Sequence, residues 1–190
     1  MALGGIVLAA GRSQRAGEFK PAFVHLGKPL LCHAVDGMLP WCEGVTLVAG
    51  HRHEEVAGLV ADRDRVELVV NHDPDRGMFS SVQIGVQAIG SDCEGFFVLP
   101  ADCPLVAGTV YERLIASFRD FEADRAIIPL HGGRGGHPVL LPAVLGEMVL
   151  AAPPTANLRE ILRAARTERL EVDHPSVLMD LDTADDLRNL

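Results

Sequence analysis

The sequence predicts an α/β fold: one Rossmann-like, doubly wound domain on a mainly parallel, mixed sheet. Three observations lead there. Short runs dominated by apolar and β-branched residues recur along the chain, at Ile6 to Ala10, Val45 to Ala49, Val66 to Val70, Phe96 to Leu99 and Ala126 to Leu130. Amphipathic helical patterns separate most of them, so the strands lie parallel with helices covering both faces. The first run breaks abruptly at Gly11 into a basic segment carrying Arg12, Arg15 and Lys20, the arrangement of a strand feeding an anion-binding loop. At 190 residues the chain is the size of one domain that buries roughly 70% of its unfolded surface.

Each element follows from its pattern. Ile6 to Ala10 is apolar and small enough for a central strand, and Gly11 and Gly17 allow the chain to turn tightly around phosphate oxygens that the three cations would neutralise. A nucleoside triphosphate is the ligand this predicts; a solvated surface turn is the plainer alternative. Neither common phosphate loop fits, because Gly17 is followed by Glu18 rather than Lys and Ser/Thr, and Gly11 lacks the two further glycines of a dinucleotide fingerprint. Pro29 opens a helix with Leu30, Leu31, Ala34, Val35, Met38 and Leu39 on one face, and Pro40 ends it. A second strand at Val45 to Ala49, a helix over 53–61 and a third strand at Val66 to Val70 follow.

Asn71 to Ser81 reads as a polar turn into a helix capped by Ser80 or Ser81, with Val82, Val86 and Ile89 as its apolar stripe. The N-terminus of that helix suits a phosphate or a base edge, as any helix start does. Phe96 to Leu99 is a fourth strand that runs into Pro100, Ala101, Asp102, Cys103 and Pro104. An acid at the carboxyl end of a parallel strand faces the ligand crevice, so Asp102 is either a Mg²⁺ ligand or the cap of a turn. Val106, Val110, Leu114 and Phe118 mark the next helix. Ala126 to Leu130 and Val139 to Leu141 bracket the glycine-rich stretch from His131 to Pro138, expected to be a long mobile loop over the crevice; within it His137 either touches substrate or ends a turn. Two short helices within 142–166, split by Pro153 and Pro154, precede expected strands at Leu170 to Val172 and Val177 to Leu181 and a last helix capped by Thr183. A regular strand would put Asp180 and Asp182 on one face, as a second carboxylate source for a metal.

Composition narrows the partners. A net charge of -9 and a pI near 5.3 would repel nucleic acid or an anionic membrane over most of the surface. The apolar N-terminal run lacks a basic lead, and no run reaches the roughly 18 residues of a membrane span. Cys32, Cys42, Cys93 and Cys103 form no CxxC pair, so reduced thiols in a cytoplasm are expected.

LAAGRSQRAGEFK, GMFSSVQIG, LPADCPL, GGHPVLL and DLDTADDL, in this order over nearly the whole chain, resemble the signature set of the MobA-like nucleotidyltransferases, specifically their molybdenum cofactor cytidylyltransferase branch. The resemblance implies one nucleotidyltransferase domain over residues 1–190, of the nucleotide-diphospho-sugar transferase type, that transfers a cytidylyl group from CTP to the terminal phosphate of molybdopterin and releases pyrophosphate. It implies that Leu8, Ala9, Ala10, Gly11, Arg12, Arg15 and Lys20 surround the nucleotide, with Lys20, Arg15 and Asp102 serving the transfer. It further implies that Asn71, Gly77, Ser80 and Ser81 enclose the nucleotide, that His137, Asp180 and Thr183 lie by the acceptor, and that Asp102 and Asp182 hold Mg²⁺. A molybdenum hydroxylase or dehydrogenase apoprotein is the implied recipient of the product.

The chain departs from the family at Ala16 and Ala184, where Met and Pro are usual, near Ala22, where a Leu is usual, and before Ala156, which a glycine and an acid often precede. The guanylyl-transferring relatives end their first strand in two glycines rather than Ala10 and Gly11 and carry Asn in place of Asp180 and Asp182, which favours CTP over GTP. Guanylyl transfer, cytidylyl transfer to a polyol or isoprenoid phosphate, and a non-catalytic molybdenum cofactor insertion factor are the alternatives. No general base is required, because a phosphate acceptor is already ionised at neutral pH.

Overall fold

The computed structural model describes residues 1–11, 19–89, 92–153, 155–181 and 186. The first strand, β1 (Leu3–Ala9), is buried along its whole length. A 3-10 turn at Lys20–Ala22 and a small antiparallel hairpin, β2 (Val24–His25) and β3 (Lys28–Pro29), follow. The hairpin was not expected from sequence; its tight turn places both Leu26 and Gly27 at positive φ, a geometry that only Gly27 announces. Next come α1 (Leu30–Met38), β4 (Gly44–Ala49), α2 (His53–Val60), β5 (Val66–Val70), α3 (Met78–Ile89), β6 (Gly95–Pro100), α4 (Gly108–Asp120) and β7 (Ala126–His131). The short β8 (Arg134–Gly135), β9 (Val139–Pro142), α5 (Val144–Ala151), α6 (Leu158–Ala164) and β10 (Thr167–Glu171) complete the described set.

The strands form one sheet in the order β10-β7-β9-β6-β1-β4-β5, with β8 folded onto β7. β1 pairs in parallel with both β4 and β6, and β4 with β5, whereas β9 runs antiparallel between β6 and β7. Alternate residues of each strand serve opposite faces. Val7, Leu47, Phe97 and Leu99 join α1, α2 and α4 in one apolar layer; Ile6, Leu8, Val48, Phe96 and Val98 join α3, α5 and α6 in the other. Burial on both faces is why these strands read as unbroken apolar runs. In the first layer Tyr111 is fully buried, stacked on Trp41 at 6.0 Å and edge-on to Phe97 at 5.3 Å, and desolvation raises its phenol pKa.

Three expectations need correction. α3 starts at Met78, ahead of the serines, because Gly77 adopts φ 99°, ψ 167°, a conformation essentially open to glycine alone, and turns the chain directly into the helix. The stretch from His131 to Pro138 is a tight hairpin rather than a long mobile loop: Gly132 and Gly133 make the turn, and β8 pairs back on Leu130 and His131. Residues 177–181 do not form a strand. Pro175–Leu178 is a 3-10 turn with Pro175 at its start, and the Nδ1 of His174 accepts the N–H of Ser176. The last helix expected after Thr183 lies outside the described residues.

Candidate active site

The parallel strands β5, β4, β1 and β6 end on one side of the sheet, where the connections carrying Gly11, Gly50, Asn71 and Asp102 lie side by side. Leu8 closes this edge against the neighbouring strand, accepting the N–H of Ala101 at 3.0 Å. Ala9 and Ala10 are buried and Gly11 is exposed, so the strand stays in the core until the residue at which the loop begins. A Cβ on Gly50 would stand 2.5 Å from the Ala10 carbonyl oxygen; glycine there lets the ends of β1 and β4 close together.

Lys20 begins the 3-10 turn that re-enters the described chain, and Pro21 at its second position fixes the backbone. The buried Phe19 just before it lies under the Arg52 guanidinium, 4.0 Å from ring centroid to Cζ, an attraction worth about 0.5–1 kcal/mol at an exposed edge. Arg52 also pairs with Glu55. This second cation, not singled out in the sequence, brings the α2 start to the Lys20 segment. Arg12 and Arg15 lie outside the described residues.

Asn71, at the end of β5, is 3% exposed, and its Nδ2 donates to the hydroxyls of both Ser80 and Ser81 at 2.9 Å. Its Oδ1 accepts the Asp73 N–H, and the Ser80 hydroxyl donates to the Gly77 carbonyl. Both Nδ2 hydrogens are therefore occupied within the protein. These side chains brace the start of α3 against the end of β5, and they reach the crevice through the backbone they hold.

Two chain segments meet at Asp102. Pro100 and Pro104 bracket the Ala101–Cys103 turn, closed by the Cys103 N–H on the Pro100 carbonyl at 3.1 Å. From the far end of the chain, the Leu181 N–H donates to the Asp102 carbonyl at 2.9 Å, while Leu181 packs with Leu30, Phe23 and Met179. The contact ties the Lys20 turn's continuation, the Asp102 turn and the C-terminal segment into one wall. As a result one ligand atom each of Asp102, Cys103 and Asp180 lies within 4.8 Å of the others. Oxygen donors from two carboxylates fit a hard divalent cation such as Mg²⁺. The pairing arises from this crossing rather than from strand alternation, and Asp182 and Thr183 lie outside the described residues. Cys103, whose sulfur joins this cluster, was not singled out in the sequence; its place between an acid and Pro104 at a strand's carboxyl end was the available signal.

His137 stands beside the same segment. Its N–H donates to the Val177 carbonyl at 2.8 Å, and the adjacent Gly136 approaches so closely that a Cβ would be 2.1 Å from that oxygen. Its Nδ1 is buried and makes no hydrogen bond among the described residues. Burial lowers the imidazole pKa from 6.5 to about 4, so the ring is neutral at physiological pH and can offer a hydrogen bond but no charge.

Comparison with known proteins gives a consistent set of likenesses. The family described as MobA-like NTP transferase domain matches residues 5–171. The molybdenum cofactor cytidylyltransferase of Escherichia coli (strain K12) is 29% identical over 181 residues, covering 95% of this chain and 91% of that protein. The molybdenum cofactor guanylyltransferase of Rhodopseudomonas palustris (strain BisB5) is 31% identical over 180 residues, 90% of this chain and 81% of its own length. Among solved structures, Rv0371c from Mycobacterium tuberculosis H37Rv superposes with a TM-score of 0.84 at 22% identity, over 100% of this chain and 96% of that one, which shows a shared fold.

Proposed function

The chain belongs to the MobA-like NTP transferase domain family and is a nucleotidyltransferase; from that premise we propose that it transfers a cytidylyl group from CTP to the terminal phosphate of molybdopterin, with Mg²⁺ and release of pyrophosphate. The observation that carries this reading is the meeting of Asp102 and Asp180 beside the carboxyl ends of β1 and β6, where a doubly wound sheet binds its ligand.

The chemistry asks mainly for positioning. An oxygen of the acceptor phosphate attacks the α-phosphorus, the bond from that phosphorus to the bridging oxygen breaks, and pyrophosphate leaves. Gly11 opens the loop that cradles the triphosphate, and Lys20, with Arg12 and Arg15, neutralises charge gathering on the departing oxygens. Asp102, with Asp180 beside it and Asp182 a further carboxylate, would hold Mg²⁺, which when bound supplies positive charge to the phosphate oxygens. Asn71, Ser80 and Ser81 hold the start of α3 at the nucleotide, Gly77 sets its direction, and neutral His137 and Thr183 lie on the acceptor side. Ala10 in place of a glycine, and acids rather than Asn at Asp180 and Asp182, favour CTP over GTP.

A pyrophosphate-release screen of four nucleoside triphosphates against molybdopterin and other small phosphorylated acceptors tests this. CTP with molybdopterin and Mg²⁺ is expected to give the highest kcat/KM. Asp102→Asn, folded by circular dichroism, should lose more than the ~10²-fold seen on removing one neutral stabilising donor. Preference for GTP would move the chain to guanylyl transfer, preference for a polyol or isoprenoid phosphate would replace the acceptor, and pterin binding without pyrophosphate would indicate a non-catalytic carrier.

A further inference from the structure

We propose that Asp102, Cys103 and Asp180 form a mixed carboxylate–thiolate centre that binds thiophilic divalent cations such as Zn²⁺ and Cd²⁺, in competition with the Mg²⁺ of nucleotidyl transfer. The competition rests on the proposed transferase reading; the centre itself rests on geometry.

Side chains of adjacent residues ordinarily diverge, yet those of Asp102 and Cys103 converge. The turn between Pro100 and Pro104 brings the Cys103 sulfur to 3.8 Å from Asp102 Oδ1, and the Leu181 bond to the Asp102 carbonyl delivers Asp180 to the same point. One ligand atom of each residue lies within 4.8 Å of the other two, so the donors need draw in by about an ångström to reach the separations of a tetrahedral zinc site. Cys103 is 3% exposed and Asp180 is exposed. The sulfur therefore forms the floor of the site and Asp180 its mouth, which gives an ion an entry path.

Donor chemistry then separates the metals. Mg²⁺ takes oxygen and leaves the sulfur unused, whereas Zn²⁺ and Cd²⁺ gain most from a thiolate. On binding, the Cys103 S–H bond breaks, its proton passes to solvent and a sulfur–metal bond forms, with no change of oxidation state. A low-dielectric floor strengthens that bond. Nucleotidyl transfer needs no thiol at this position.

The test uses the full chain, stripped of metal and titrated with Co²⁺ and Cd²⁺ while the thiolate-to-metal charge-transfer absorption is followed. One equivalent should bind with a band that Cys103→Ser abolishes, and the Kd for Cd²⁺ should weaken by roughly tenfold or more. Asp180→Asn, an exposed change that spares the core, should keep the band and weaken binding. Cd²⁺ should inhibit Mg²⁺-dependent pyrophosphate release competitively with Mg²⁺ in the unaltered chain, and Cys103→Ser should relieve that inhibition. An unchanged band or Cd²⁺ affinity in Cys103→Ser overturns the proposal. If that variant misfolds, unchanged Cd²⁺ affinity in both Asp102→Asn and Asp180→Asn overturns it instead. The outcomes also separate the two readings: a Cys103-dependent band without pyrophosphate release from any nucleotide removes the transferase reading and leaves the metal centre, and release without the band does the reverse.

Discussion

His137 sits on the seam between the β7–β9 hairpin and the C-terminal segment, with a backbone bond to Val177 and a buried Nδ1 that has no partner among the described residues. Its pKa of about 4 lies below the 6.5 of an unfolded chain, so the unfolded state binds the proton first as pH falls. Stability is thus complete above about pH 6.5, declines toward pH 4 and levels off below it, by at most roughly 3 kcal/mol. Denaturation midpoints of the wild type should fall across that window, and those of His137→Gln should fall less; parallel curves would remove His137 as the cause. A second residue-scale expectation concerns Ala10. Ala10 is buried at the end of β1, and Gly50 closes against its backbone, so its methyl stands at the base of the loop. Ala10→Gly should reduce a CTP-over-GTP preference in kcat/KM by part of the roughly ten- to two-hundred-fold that one methyl commands, and an unchanged ratio would place nucleotide choice elsewhere.

Strands were the most legible elements: burial on both faces leaves β1, β4, β6 and β7 rich in apolar residues, and they shift by a few residues at most, while the half-buried edge strand Val66 to Val70 is reproduced residue for residue despite Glu67. Helices α1 and α4 were visible through their apolar stripes. What hid from the sequence was whatever tertiary contact decides. Ser80 and Ser81 resemble N-caps in isolation, yet they point inward to Asn71. The reversed direction of β9 has no local signature, since its Val-Leu-Leu run suits either orientation. The glycines after His131 serve a turn and a close approach to Val177, where flexibility was expected. The Asn71 brace makes an element-scale prediction. Asn71→Ala removes the partner of the buried Ser81 hydroxyl and of the Asp73 N–H and one of the two bonds of Ser80, and should destabilise by about 2–4 kcal/mol in chemical denaturation. Because the start of α3 loosens too, the KM for nucleotide should rise more than kcat falls; a stable variant with unaltered KM would reduce the network to packing.

Across the whole molecule, the carboxyl edge of the sheet was foreseeable from the alternation of strands and helices, and Asp102 from its place after the fourth run. Its pairing with Asp180 was not, because it depends on a crossing between distant parts of the chain that no periodicity records; the expected strand would have grouped Asp180 with Asp182 instead. That crossing has a consequence for heat. The C-terminal segment, a 3-10 turn continued by irregular chain to Leu181, is anchored at Val177 and Leu178 in the main apolar layer, but beyond them it rests on single bonds, such as Ala107 to the Ser176 hydroxyl and Leu181 to Asp102, and on one small cluster around Leu181, whereas the sheet is secured by continuous pairing and two packed layers. Such a segment opens at lower free energy than the body it rests on. Warming should therefore detach Asp180 from Asp102 while the sheet still stands, and the enzyme should fall silent several degrees before its circular dichroism changes. Cooling from that interval should restore activity without refolding, whereas coincident loss of both signals would show that this wall melts only with the rest.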